Sequence, residues 1–152
     1  MSIALRPATI SDLAALSALC LRSKGHWGYD QAFLDACRAE LTITPDDLAQ
    51  NQTIVALWDD TIAGTVQLAT HDAIAEIHML FVDPPFMARG IGTALFQWCV
   101  DTARDAGIKS LRADADPEAT AFYERMGATQ AGYAPSGSIP GRKLPIMSYQ
   151  IR

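Results

Sequence analysis

The sequence predicts an α+β fold, with helices flanking a mixed, mostly antiparallel sheet, and three observations lead there. Apolar runs of strand length, Thr53 to Trp58, Thr61 to Ala69 and Ala75 to Val82, follow one another with only turn residues between them. Segments with helical spacing of apolar residues stand on both sides of that row. A strand–helix–strand unit then runs from Ala75 through a loop holding Gly90 and Gly92 to Ala113, and a parallel strand pair needs such a crossover.

Taken in order, Ile3 to Leu5 reads as a short strand ended by Arg6-Pro7. Thr9-x-x-Asp12 has the form of a capping box, and Leu13, Leu16, Leu19 and Cys20 repeat at helical spacing behind it. Ser23 to Tyr29 interrupts that helix. Asp30 can cap a second one, whose Phe33, Leu34, Cys37 and Leu41 share a face, and Thr44-Pro45-Asp46-Asp47 starts a further short helix. Asp59-Asp60 turns the first hairpin. Pro84-Pro85 ends the third strand, because proline cannot donate to a ladder.

Beyond the glycines, Leu95, Trp98, Cys99 and Thr102 mark one helical face that Gly107 closes, and Ser110 to Ala113 forms a strand parallel to the one before it. Asp116-Pro117-Glu118 starts a helix in which Asp caps and Pro takes the first position; Ala119, Phe122, Tyr123 and Met126 share its inner face. Gly127 closes it. Thr129 to Ala134 and Leu144 to Ile151 make terminal strands around the turn-rich Pro135 to Gly141.

The 152 residues contain no repeat, linker or low-complexity tract, so one domain over 1–152 is expected. Three well-separated cysteines, Cys20, Cys37 and Cys99, lie in helical windows without a metal or redox spacing, which points to reduced thiols and no metal. No signal-like N-terminus or membrane-length apolar run is present, so a cytoplasmic protein without a membrane partner is expected. Net charge is −5 with scattered basic residues, which argues against nucleic acid and slightly favours cationic ligands.

The segment Met87-Ala88-Arg89-Gly90-Ile91-Gly92 leads straight into a helix. A dinucleotide fingerprint would need a third glycine where Leu95 stands, and a nucleotide P-loop would need a lysine after its last glycine. What remains is a strand, a turn and a helix N-terminus that aims free N–H groups and the positive dipole end at one point, which suits a pyrophosphate. Gly90 and Gly92 let the backbone approach it, and Arg89 adds charge.

On Leu80-Phe81-Val82-Asp83-Pro84, on this loop, and on Asp116, Ala119, Phe122-Tyr123 and Gly127, the chain resembles the GNAT superfamily of acetyl-CoA-dependent N-acetyltransferases. Ile3 to Asp12 is similar to that family's first strand and helix, so the resemblance spans nearly the whole chain. Met87 stands where the family usually has Arg or Gln, and Asp116 where it usually has Asn.

The resemblance implies acetyl-CoA as acyl donor, held by Leu80, Phe81 and Val82 through their backbone, by Met87, Ala88, Arg89, Gly90, Ile91, Gly92 and Thr93, and by Asp116, Ala119 and Phe122. It implies Tyr123 as the general acid for the leaving thiolate, and main-chain N–H groups near Leu80 to Val82 for the oxyanion. Attack needs a neutral amine, yet an alkylamine has a pKa near that of lysine, about 10.4, so a base or water relay must remove a proton. Glu76 and His78 occupy alternate strand positions on one face, and Glu76 falls where several family members carry a catalytic glutamate. His71 reads as solvated surface in a polar turn.

His26, Trp27 and Tyr29, in an unusually aromatic connection, and Arg142, in the last loop, are candidate walls for a small-molecule or peptide amine acceptor. The expected reaction is direct attack in a ternary complex; a cysteine acyl-enzyme is the weaker alternative, since no His is paired with a Cys in sequence. An acyl-CoA-binding module without catalysis and a purely structural protein are the rivals. Family members are often dimers, so a homodimer is a further expectation by analogy.

Overall fold

The computed structural model describes residues 2–152. Seven strands form one sheet: β1 (Ile3–Pro7), β2 (Gln52–Trp58), β3 (Thr61–His71), β4 (Ile74–Val82), β5 (Ser110–Asp114), β6 (Thr129–Pro135) and β7 (Lys143–Gln150). Their spatial order is β1-β2-β3-β4-β5-β7-β6, and every neighbouring pair is antiparallel except β4 and β5. The α+β fold with a mixed, mostly antiparallel sheet is the one the sequence predicts.

Helices α1 (Leu13–Gly25), α2 (Gln31–Leu41) and α3 (Pro45–Gln50) separate β1 from β2. Their starts follow from local chemistry. The Asp12 carboxylate accepts the Thr9 N–H at 2.8 Å, Asp30 accepts the Phe33 N–H at 2.8 Å, and Thr44 and Asp47 form a reciprocal capping box. Helix α4 (Ile91–Asp105) connects β4 to β5, and α5 (Thr120–Arg125) precedes β6. Before α5 the chain makes one 3-10 turn, Pro117–Ala119, so the α-helix begins later than the Asp-Pro-Glu signal suggests.

Two apolar layers cover the two sheet faces. Leu95, Phe96, Cys99 and Val100 of α4 pack with Tyr123 of α5 against Val66, Leu68, Ala75 and Ile77. Leu13, Leu16 and Cys20 of α1 pack with Cys37 and Leu41 of α2 against Val55 and Met79. A sheet covered on both faces explains why β2 and β3 are continuous apolar runs rather than alternating ones. The buried stripe of α4 is Ile91, Leu95, Phe96, Cys99, Val100 and Ala103. Trp98 and Thr102, expected on its core face, sit at its margin, because Ile91 and Phe96 rotate the stripe toward the sheet.

Two irregularities shape the site. Gln67 pairs with Met79 and Leu68 with Ile77, so His78 is an extra residue, a β-bulge in β4. Before it, Ala75 and Ile77 face the α4 layer; after it, Leu80 and Val82 do, and Met79 and Phe81 face α1 and α2. The second is a splay. β4 pairs with β5 only over Ile74 to Ile77, opposite Ser110 to Ala113, after which β5 stays with β7 and the Ala115 N–H bonds the Pro145 carbonyl at 2.8 Å. The main chain of β4 beyond Ile77 is thus left without a neighbour on that side.

Candidate active site

The opening between β4 and β5 continues into two cavities. The larger, about 510 Å³, is lined by Glu76, His78, Arg112 and Asp114 from the sheet and by Glu40 and Asp47 from the helical side. The smaller, about 110 Å³, is lined by Leu80, Phe81, Ala119 and Tyr123 together with Lys24, Asp116 and Arg142. Glu40, Ile77, His78, Met79, Asp114 and Leu144 belong to both, so the two are halves of one cleft that follows the bulged strand.

Past Leu80 and Phe81, which line the smaller cavity, β4 leads on to the N-terminus of α4. The chain leaves β4 through Asp83, whose carboxylate receives two hydrogen bonds of 3.0 Å from the Arg22 guanidinium, and passes a 3-10 turn at Pro84–Phe86. Ala88 then takes φ +63° and Gly90 φ +84°. Left-handed geometry at alternate residues turns successive N–H groups toward one side, an anion-binding concavity. The first helical bond joins the Ala94 N–H to the Gly90 carbonyl at 3.0 Å, which leaves the N–H groups of Ile91, Gly92 and Thr93 without an intrahelical acceptor.

Gly92 is a glycine for a packing reason as well: a Cβ there would lie 3.0 Å from Cε1 of Phe122. That contact seats α5 against the loop. Arg89 lies over the Trp58 ring at 5.1 Å and over Phe86 at 5.6 Å. The residues of this cradle fit a pyrophosphate on main-chain donors.

Tyr123 follows Phe122 and is 7% exposed. No fully buried side-chain polar atom among the described residues lacks a partner, and the Tyr123 hydroxyl bonds none of them; it therefore opens into the smaller cavity. Burial pushes its pKa well above the ordinary phenol value, so the hydroxyl holds its proton at neutral pH. On β4, Glu76 Oε2 and His78 Nε2 lie 3.6 Å apart and share the larger cavity.

Asp116 does more than cap. It accepts the Glu118 N–H at 2.9 Å, the Lys24 ammonium at 2.6 Å and the Tyr29 hydroxyl at 2.9 Å, and Arg142 reaches it at 3.4 Å. Burial alone would raise its carboxyl pKa, but the Lys24 ammonium, the Glu118 N–H and the Tyr29 hydroxyl outweigh that and hold it below the usual range. Burial, then the bond to Asp116, pushes the Tyr29 phenol up to about 12. Lys24 and Arg142 also lie over the Tyr29 and Phe33 rings, which stack at 4.1 Å.

Of the candidate acceptor residues, Arg142 lines the smaller cavity and Tyr29 sits in the Asp116 cluster beside it. His26 and Trp27 do not join them. α1 ends at Gly25, and the two rings pack edge to face on the outside at 5.2 Å. Sequence reasoning passed over Lys24, Glu40, Arg112 and Asp114. Each is an ordinary charged surface residue in its own window, and only register and helix packing bring it to the wall of the cleft. The three cysteine thiols are free and buried, and burial pushes those of Cys20 and Cys99 up to about 12, which makes them poor nucleophiles.

Among the described residues, no helix is long and apolar enough to cross a membrane. A sequence profile of the Acetyltransferase (GNAT) family matches residues 20–128. An uncharacterized N-acetyltransferase of Methanocaldococcus jannaschii is 42% identical over 57 residues, which are 36% of this chain and 25% of that protein. The match thus spans about a quarter of the length of that curated relative.

Among solved structures, the PaiA N-acetyltransferase from Thermoplasma acidophilum in complex with coenzyme A superposes with a TM-score of 0.83, at 20% identity over 99% of both chains. A GCN5-related N-acetyltransferase from Rhodopseudomonas palustris gives 0.81, at 23% identity over 99% of this chain and 96% of that one. At such identities these two likenesses are of fold. The profile match extends over most of the chain, from α1 through the α4 cradle to the end of α5, and the chain belongs to the GNAT acetyltransferase family.

Proposed function

We propose that the protein transfers an acetyl group from acetyl-CoA to a primary amine by direct attack in a ternary complex. The observation that carries this reading is the Tyr123 hydroxyl, protonated and without a partner among the described residues, opening into a cleft that also holds the Glu76–His78 pair. Proton acceptor and proton donor thus stand on two sides of one continuous space.

Bound acetyl-CoA supplies the activated acyl group as a thioester. The amides of Ile91, Gly92 and Thr93 and the α4 dipole bind its pyrophosphate, and Arg89 adds charge from the loop. The main chain of Leu80 to Val82, paired with β3 but not with β5, offers hydrogen bonds along the splay. Glu76 and His78 are the two acceptors for the proton that the attacking amine sheds, and Tyr123 returns a proton to the departing sulfur. The buried thiols take no part.

The acceptor we infer is cationic beyond the reacting amine. Arg112 is paired with Asp114 at 3.1 Å, and among the described residues Glu40, Asp47 and Glu76 in the larger cavity have no lysine or arginine partner. Such a wall draws in cationic substrates. The free thiols are consistent with the cytoplasmic location the sequence leads us to expect.

The test is a thermal melt with acetyl-CoA, with adenosine at the same concentration as control, followed by thiol-release assays across mono- and polyamines. A rise of several degrees with acetyl-CoA alone, then turnover favouring the more cationic amines, is the expected result, because a ligand specific for the native state stabilises it by mass action. A melt unmoved by millimolar acetyl-CoA would overturn the reading. Binding without turnover on any amine would leave a non-catalytic acyl-CoA module.

A further inference from the structure

One cluster of chemistry-bearing side chains has no part in binding the acyl donor. His71 ends β3, and the two-residue turn Asp72-Ala73 returns the chain into β4. In the hairpin register Ala69 stands opposite Glu76 and His71 opposite Ile74, so His71 is the diagonal neighbour of Glu76 on the same face. His78 follows two residues after Glu76. One ligand atom from each of His71, Glu76 and His78 lies within 4.8 Å of the other two, and the Glu76–His78 pair is already at 3.6 Å.

We propose that His71, Glu76 and His78 form a binding site for a borderline-soft divalent ion of the Zn²⁺ kind. Two imidazoles and one carboxylate are a common donor set for zinc, with ligand distances of about 2.0–2.2 Å, which sets ligand atoms about 3.3 Å apart around a tetrahedral ion. The Glu76–His78 pair nearly has that spacing, and rotation of the exposed His71 ring supplies the rest. The hairpin register holds the His71 and Glu76 backbones, and the bulge sets His78 two residues beyond Glu76, with its ring already 3.6 Å from that carboxylate. Arg112, which stands opposite Glu76 on β5, is engaged by Asp114. Three protein ligands leave a fourth position for water, as in open zinc sites.

The consequence rests on the transferase reading. Glu76 and His78 are the proton acceptors there, and an ion on their lone pairs removes both from use. Zinc is therefore a reversible inhibitor at a site that includes one residue, His71, with no role in the reaction. The sequence led us to expect no metal, since the cysteines lack a metal spacing and His71 reads as solvated surface; the trio becomes a cluster only through the hairpin register.

Titration calorimetry with ZnCl₂ on the full chain tests the site, and acetyl transfer at the same zinc concentrations tests the consequence. The expected result is one saturable site that excess Mg²⁺ does not occupy. His71→Ala should bind zinc at least about tenfold more weakly, in the range by which lost supporting contacts weaken metal sites. The same variant should keep its metal-free turnover and resist inhibition. No saturable binding, equal binding of Mg²⁺, or unchanged affinity in His71→Ala would overturn the site. Zinc bound through His71 without loss of turnover in a working enzyme would overturn the inhibitory role. A wild type that binds zinc this way but shows no turnover without it would support the site and sink the transferase reading.

Discussion

Tyr123 carries its functional weight in one atom. Its ring packs among Phe96, Phe122 and the α4 layer, while its hydroxyl bonds no described residue. Tyr123→Phe should therefore lower kcat by about 10²–10⁴, the range for losing a positioned proton donor. Its melting temperature should stay within a degree or two of wild type; a large drop would mean that the hydroxyl is structural. Asp12 works the other way. It accepts the Arg6 guanidinium at 2.8 and 3.0 Å and the Thr9 N–H at 2.8 Å, and the Arg6 bond above all holds its carboxyl well below the usual range.

A depressed carboxyl contributes stability above its unfolded pKa and loses it as pH falls through the folded value. Asp12→Asn should cost about 1–2 kcal/mol at pH 7, a figure for charged hydrogen bonds discounted because Arg6 is 39% exposed. The gap to wild type should narrow below about pH 4, which urea unfolding across pH would measure.

At the scale of elements, the cradle depends on how closely α4 approaches β3. Gly64 of β3 lies where a Cβ would come within 3.0 Å of the Phe81 carbonyl, 3.1 Å of Ile91 Cγ2 and 3.3 Å of Leu95 Cδ1. Its neighbours are backbone and the first turn of α4, so they have little room to yield. Gly64→Ala should destabilise by about 1–3 kcal/mol, as overpacking does. It should also shrink the thermal shift produced by acetyl-CoA, because Ile91 carries one of the cradle's N–H groups. A normal shift on a less stable protein would separate the packing from the cradle. In the sequence Gly64 is one more glycine in a strand; its meaning comes from the helix laid across it.

The molecule as a whole is tied around Asp116. Lys24 from α1 and Arg142 from the β6–β7 loop meet that carboxylate from 92 and 26 residues away, with side chains 11% and 17% exposed. Asp116→Asn, which installs the residue usual in the family, leaves two shielded cations without their counter-charge. It should cost about 1–3 kcal/mol. Because the Asp116 carboxyl is held low, its contribution should likewise fade in acid as pH falls through the folded value. Equal stability of Asp116→Asn and wild type at pH 7 would show that the cluster is not a tie.

What the sequence determined by itself is local in origin. Apolar periodicity, caps at Asp30 and Thr44, proline stops and left-handed glycines act within a few residues, so element order, fold and the α4 cradle could be read before any coordinates. Strand alternation put Glu76 and His78 on one face, whereas Tyr123 was singled out by the family resemblance, since periodicity alone makes it a core residue.

The tertiary structure alone decided which charges face one another. The bulge at His78 turns Leu80 toward α4, the splay of β5 opens the cleft, and α2 brings Glu40 to its wall. Lys24 meets Asp116, and His71 meets Glu76, through packing and hairpin register. Coulomb forces and cavities depend on distance through space, and the sequence encodes that distance only through the whole set of contacts that fold it.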